Sequence, residues 1–198
     1  RRRGITHMVS TGSASGDSLF AGIGLVASTK GDFDSVVNEA AFVHVALGES
    51  GSRRAGGSRS AAMAQLRGAL DDALNYRTRY SGPEDGDSLS RQDAAALAPA
   101  ARGEMPLLIA ANRASDLIAL TRLKQEYPRL DIIVVGATEA WQVADALRDA
   151  GIKVIIDPVT NLPGSFESLG ASYDNVMILD AAGVEYAISN LTSFRVTK

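Results

Sequence analysis

Residues 106–158 constrain this chain more than any other stretch, because two strand-then-helix units follow one another there at nearly the same spacing. Residues 106–112 (PLLIAAN) form a short apolar run ending on a polar residue, and a helix over 114–127 would set Leu117, Ile118, Leu120 and Leu123 on one apolar face. The pattern then repeats. Residues 131–136 (DIIVVG) lead into a helix with Ala140, Val143, Ala144 and Leu147 at helical spacing, and Gly151 closes it before residues 153–157 (KVIID). Continuously apolar strands alternating with amphipathic helices predict a parallel sheet covered on both faces. On that reading Leu108, Ile109, Ile133, Val134, Val154 and Ile155 are nearly fully buried. Chemistry in such sheets gathers beyond the strand C-termini, so Asn112-Arg113, Thr138-Glu139 and Asp157-Pro158 are the places to look for a site.

The rest of the chain extends the repeat. Residues 4–10 (GITHMVS) read as a strand followed by a small polar loop over 11–18, and residues 41–47 (AFVHVAL) as another strand that ends at Gly48-Glu49. Gly22-Ile23-Gly24-Leu25-Val26-Ala27 has the spacing of a dinucleotide loop but sits inside a β-prone run, which predicts a packed strand whose glycines permit close approach. His44 alternates with apolar neighbours and reads as a hydrogen-bonded core imidazole. Residues 50–60 (SGSRRAGGSRS) read as a loop carrying Arg53, Arg54 and Arg59 as solvated charge or as cover for a ligand. A helix is expected from 60 to about 79 with Ala62, Leu66, Ala69, Leu70 and Ala73 inward, and residues 81–87 break it. Ser90 with Asp93 three residues on marks a further helix start. Beyond Asp157, residues 159–165 form a turn-rich loop that contributes Asn161 as a candidate ligand-binding residue. Asp174 then caps a helix to about Ala182, and Gly183 ends it before a last strand at 184–189.

These elements predict an α/β fold in a single domain over residues 1–198, a partial TIM-barrel-like (βα) repeat with helices outside. The strands near 4–10, 41–47, 107–112, 131–136, 153–157 and 184–189 would lie parallel in one curved sheet. A chain of 198 residues, 45% hydrophobic, can bury the core this requires. A net charge of −3 without a long basic run argues against nucleic acid and anionic membrane as partners. The absence of cysteine removes disulfides, thiolate zinc sites and cysteine nucleophiles, and leaves a cytoplasmic and a periplasmic location equally open. No apolar stretch approaches the roughly 18 residues of a membrane helix, so a soluble protein is expected. The chain opens on Arg1-Arg2-Arg3 rather than Met, which reads as an internal fragment or a processed product.

Several motifs together carry a family resemblance. Asn112-Arg113-Ala114-Ser115-Asp116 follows the first strand of the central stretch, Gly136-Ala137-Thr138-Glu139-Ala140-Trp141 follows the second, and residues 150–158 (AGIKVIIDP) close it. With residues 4–7 (GITH), Leu47-Gly48-Glu49 and residues 182–187 (AGVEYA), they resemble the imidazolonepropionase-related branch of the amidohydrolase superfamily over nearly the whole chain. The resemblance implies a distorted (βα)-barrel that hydrolyses C–N bonds of cyclic amides or N-acyl compounds with water activated by divalent metal, typically zinc. It also implies that the first barrel strand, the early His-x-His motif and the β-sandwich are absent here.

The metal positions depart from that pattern. Where active relatives end a strand in His-Ala-His, this chain has Ala110-Ala111-Asn112, and where they have His-Gly-Thr-Glu it has Gly136-Ala137-Thr138-Glu139. The aspartate implied near the last strand falls around Ser189-Asn190-Leu191, and only Glu49 matches a metal-binding carboxylate of the family. A hydrolytic zinc site holds its ion with about three protein ligands, so no cofactor is expected in this chain. Two functions follow. One is a hydrolase using Glu49, Glu139 or Asp157 as general base with Arg113 as electrostatic clamp. The other is a non-catalytic relative, a scaffold or small-molecule-binding protein, that uses Asn112, Arg113, Thr138 and Asn161. Structural roles compete at the same residues: Glu139 suits a helix dipole, Asp157 a turn, and Asn112-Arg113 a helix cap. Uncovered sheet edges in a barrel short of a strand would suit a homo-oligomer.

Overall fold

A computed structural model describes residues 6–31, 34–80, 88–158 and 163–189. It divides into two compact units, Arg1–Leu108 with Tyr127–Asp131, and Ile109–Glu126 with Ile132–Lys198.

The first unit begins with three strands, with no helix between them among the described residues: β1 (His7–Ser10), β2 (Phe20–Ser28) and β3 (Val36–Ala46). β1 pairs antiparallel with β2, from His7 opposite Ser28 to Ser10 opposite Leu25, and β2 pairs antiparallel with β3 through a register that shifts between Phe20 and Ile23 and again near Val26. This corrects the expectation of parallel βα units from the N-terminus onward. Parallel neighbours need a crossover of about a dozen residues or more, and fewer than that separate Ser10 from Phe20 or Ser28 from Val36. The expectation of a glycine-bearing strand at residues 22–27 holds, and the structure gives its reason. A Cβ on Gly24 would run into the far end of the Phe42 ring, its partner on β3, so the ring occupies the space a side chain would need.

Helices α1 (Gly48–Arg54), α2 (Arg59–Arg79) and α3 (Arg91–Ala101) complete this unit. α1 replaces the first half of the loop expected at residues 50–60. A Glu49–Arg53 ion pair at i,i+4 and the Ser52 hydroxyl donating to the Glu49 carbonyl hold this short helix together, local support that a glycine- and serine-rich composition hides. α2 starts at Ser58, whose hydroxyl accepts from the Ala61 amide, and buries Ala62, Leu66, Ala69, Leu70 and Ala73 as the sequence predicts. Ser90 caps α3 by accepting from the Asp93 amide. Fully buried Asp72 on α2 fixes the approach to α3, its Oδ2 accepting from the amides of Ser88 and Leu89 at 2.8 and 3.1 Å.

The second unit has the order the sequence predicts. β4 (Leu107–Ala111), whose last three residues belong to this unit, is followed by α4 (Ala114–Glu126), β5 (Ile132–Gly136), α5 (Ala144–Asp149), β6 (Lys153–Ile156), α6 (Asn175–Ala182) and β7 (Tyr186–Ile188). β5 and β6 pair parallel with Val134 opposite Val154, and β6 and β7 with Ile155 opposite Ala187. The expected helix over Ala140 to Leu147 is interrupted, because Ala140–Gln142 is a 3-10 turn and α5 begins only at Ala144. The break falls at Val143, whose non-helical backbone (φ −133°, ψ 23°) ends the 3-10 turn with its amide on the Ala140 carbonyl and starts α5 with its carbonyl accepting from the Leu147 amide. Asp174 stands at the cap position of α6 but makes no side-chain cap bond.

Burial along these strands alternates. Ile109, Val134, Val154 and Ile156 are shut off from solvent, whereas Leu108, Ile133 and Ile155 are only half-buried. The expectation of two-sided burial is therefore corrected: within this unit one strand face is closed, and the other stays partly open. Leu117, Leu120, Leu123, Leu147 and Leu179 supply the helical share of the core.

Candidate functional site

The turns that leave β4 and β5 are tied to each other. Asn112 follows β4, and its backbone carbonyl accepts from the Glu139 amide at 2.9 Å while its side-chain Oδ1 accepts from the Thr138 hydroxyl at 2.8 Å. Ala137, between them, donates its amide to the Ala111 carbonyl at 2.8 Å and adopts φ 48°, a left-handed conformation that costs a non-glycine residue about 1 kcal/mol or more. What holds it there is Asn175 at the start of α6. This fully buried side chain donates Nδ2 to the carbonyls of Ala137 and Thr138 at 3.0 and 3.1 Å and accepts from the Trp141 amide through Oδ1 at 2.8 Å.

Glu139 is the charged centre of the arrangement and is 6% exposed. Its Oε2 accepts from the Ala114 amide at the start of α4 at 2.9 Å, and its Oε1 accepts from the Gly170 amide at 3.1 Å. A carboxylate at a helix N-terminus is favoured by the unpaired amides and by the helix dipole together. Gly170 is required by this contact, since a Cβ there would lie 2.7 Å from Oε1. The same residue accepts from the Trp141 indole through its carbonyl at 2.8 Å. Both oxygens of Glu139, the Asn112 Oδ1 and both polar ends of Asn175 thus meet a partner, the condition under which a buried polar network rigidifies a fold.

Arg113 stands at the edge of this network. Its Nε lies 4.0 Å from Glu139 Oε1, its side chain is 28% exposed, and its guanidinium stacks over the Phe166 ring at 4.9 Å from the centroid. No hydrogen bond to the guanidinium occurs among the described residues, so the planar donor face is held by stacking and long-range attraction alone.

Of the sequence-predicted residues, Asn112, Arg113, Thr138 and Glu139 converge in this way. Asp157 is buried at the end of β6 in the same unit, outside the bonds just described. Glu49 belongs to the first unit, on α1 with Arg53, and Asn161 lies outside the described residues, as do Asn190 and Leu191. Of the histidines, half-buried His44 lies within hydrogen-bond distance of the Thr11 hydroxyl and the Gly12 carbonyl through Nδ1, and exposed His7 lies beside Thr6. Asn175, Gly170 and Phe166 escaped the sequence reading, and Trp141 entered it only as part of the motif after the second strand. Asn175 follows Asp174, and both suit a helix cap, so nothing in the sequence told which of the two had a longer reach.

The donor set does not fit a hydrolytic zinc ion. Ala110 and Gly136 offer no side-chain ligand, Asn112 Oδ1 is engaged by Thr138, and both Glu139 oxygens are engaged by backbone amides. Among the described residues no three His, Asp or Glu side chains gather closely enough to hold a metal, and no helix is long and apolar enough to cross a membrane.

No family model and no curated protein matches the chain. A solved structure of an amidohydrolase from Thermotoga maritima MSB8 matches its fold with a TM-score of 0.77 at 18% sequence identity, over 93% of this chain and 50% of that one. The chain spans about half the length of that protein. The shared fold is amidohydrolase-like at that level, and the likeness extends to the fold alone.

Proposed function

We propose that this chain is a non-catalytic, amidohydrolase-like small-molecule-binding protein that takes an anionic or polar ligand at the turns after β4 and β5 without a metal ion. The observation that supports this reading is the contrast between Glu139 and Arg113. A general base must offer an oxygen to the proton it abstracts, and Glu139 spends one oxygen on each of two backbone amides. Arg113 keeps its guanidinium donors for a carboxylate, which it can meet with two parallel hydrogen bonds, and Asn112 and Thr138 stand beside it with groups that donate and accept. Asn161, five residues beyond β6 in sequence, joins this set as a candidate.

N-acetylglycine is a suitable probe, carrying one carboxylate and one acyl amide. Titration followed by NMR at the Arg113 Nε–H resonance is expected to give a saturable shift that Arg113→Ala abolishes. A probe that leaves this resonance unmoved, or that binds Arg113→Ala as well as the parent protein, overturns the proposal.

A second reading, favoured by the likeness to an amidohydrolase, is a hydrolase of non-peptide C–N bonds with Glu49, Glu139 or Asp157 as base and the usual divalent metal of that family. Turnover of N-acyl or cyclic-amide substrates that a chelator stops would decide for it.

A further inference from the structure

Residues 165–171 of the second unit are tied to the strand-end turns and yet hold a large apolar ring in the open. The Ser165 amide donates to the Ser168 hydroxyl at 3.1 Å and the Ser168 amide to the Ser165 carbonyl at 3.0 Å, which closes the 3-10 turn Phe166–Ser168. Gly170 is held at both of its polar atoms, the amide on Glu139 Oε1 and the carbonyl on the Trp141 indole. Phe166, in this anchored segment, is nevertheless 65% exposed.

A single exposed apolar residue needs no explanation by itself. Phe166 differs because its ring is already stacked with a cation that a ligand can reach. The Arg113 guanidinium carbon stands 4.9 Å from the ring centroid, and the arginine side chain keeps a solvent-accessible share. Of its nitrogens Nε lies towards Glu139, 4.0 Å from Oε1, so the edge open to an incoming carboxylate is the Nη1–Nη2 pair, on the side away from that like charge. A carboxylate held on this edge at about 2.8 Å brings the atoms behind it within a few bonds of the Phe166 ring. Aromatic rings pair in offset or edge-to-face arrangements with centroids about 4.5–7 Å apart, so an aryl group on a short linker can meet Phe166 while its carboxylate stays on Arg113.

We infer, resting on the Arg113 site proposed above, that its ligand is an aromatic carboxylate, with the carboxylate on the Nη1–Nη2 edge of Arg113 and the aryl ring against Phe166. Phe166 is then the residue that sets specificity. A small aliphatic carboxylate or a phosphate would use the arginine alone and leave the Phe166 ring in water, whereas an aryl group covers apolar surface that a methyl group cannot.

The test is a titration of the protein with N-benzoylglycine and N-acetylglycine, which differ in a phenyl group for a methyl, read by NMR at the Arg113 Nε–H and at the Phe166 ring protons. N-benzoylglycine is expected to bind at least about tenfold more tightly and to move the Phe166 ring protons saturably, in proportion to the apolar surface it covers. Phe166→Ala, at an exposed position where folding is not at stake, should bring the two affinities within about threefold of each other, and Arg113→Ala should abolish both. If N-acetylglycine binds at Arg113 and N-benzoylglycine binds no more tightly, or if the preference is unchanged in Phe166→Ala, the inference is overturned and the Arg113 site stands. No saturable shift with either probe overturns both.

Discussion

The Glu139 cluster of the second unit and the Arg54 region of the first solve the problem of sheltered polar groups in opposite ways. At Glu139, Asn112 and Asn175 the described polar atoms meet amides, carbonyls or hydroxyls at hydrogen-bond distance, and the product is a rigid brace between two strand ends and the start of α6. At Arg54 Nε and Gln65 Oε1 comparable atoms are sheltered with no partner among the described residues. The hydrogen bonds of the chain complete the first set and leave the second incomplete, so the two regions differ in the cost of sheltering their polar groups. It also shows why a carboxylate at a strand end is a poor guide by itself: Glu139 has the location of a catalytic base and the bonding of a helix cap.

The largest effect that could break this comparison is at Asn175. Replacement by alanine strips partners from two carbonyls and an amide at a fully buried position and releases the left-handed turn at Ala137, so Asn175→Ala should destabilise the protein by about 3 kcal/mol in chemical denaturation. A loss below about 1 kcal/mol would mean that the network is slack or wet. Glu139→Gln comes next. It keeps the shape but turns an NH2 group towards one of the two backbone amides, for an expected loss of about 1–2 kcal/mol, with binding at Arg113 retained. If Glu139→Gln were neutral in stability yet abolished binding, Glu139 would be a ligand contact and the brace reading would fail. Gln65→Leu should act with the opposite sign and the smallest size, raising stability by up to about 1 kcal/mol, because it removes an unpaired acceptor and leaves apolar volume behind. A clear loss there would show that Gln65 has a partner after all, and the two regions would no longer differ.

Legibility followed the range of the forces involved. The βα order of the second unit could be read from residues 106–158 because strand and helix periods are local, and the inward face of α2 was readable for the same reason. The antiparallel start is not legible in the periodicity that marks β2 as a strand, since pairing direction depends on connection length and not on side-chain pattern. At the site, Asn112, Arg113, Thr138 and Glu139 were found by their place after strands. What they do there was hidden, because Glu139 depends on Gly170 and the turn depends on Asn175, both more than 30 residues away in sequence. The small helix α1 was misread as loop for the converse reason: its support is local, but composition masked it.

The proposed site at the strand ends of the second unit needs no metal ion. Elemental analysis of the purified protein, after growth with zinc supplied, tests that claim most directly. The account predicts divalent metal well below one ion per chain, because Ala110 and Gly136 offer no ligand atoms and Glu139 is already bonded on both oxygens. One tightly held divalent ion per chain would contradict it and return the protein to the hydrolase reading.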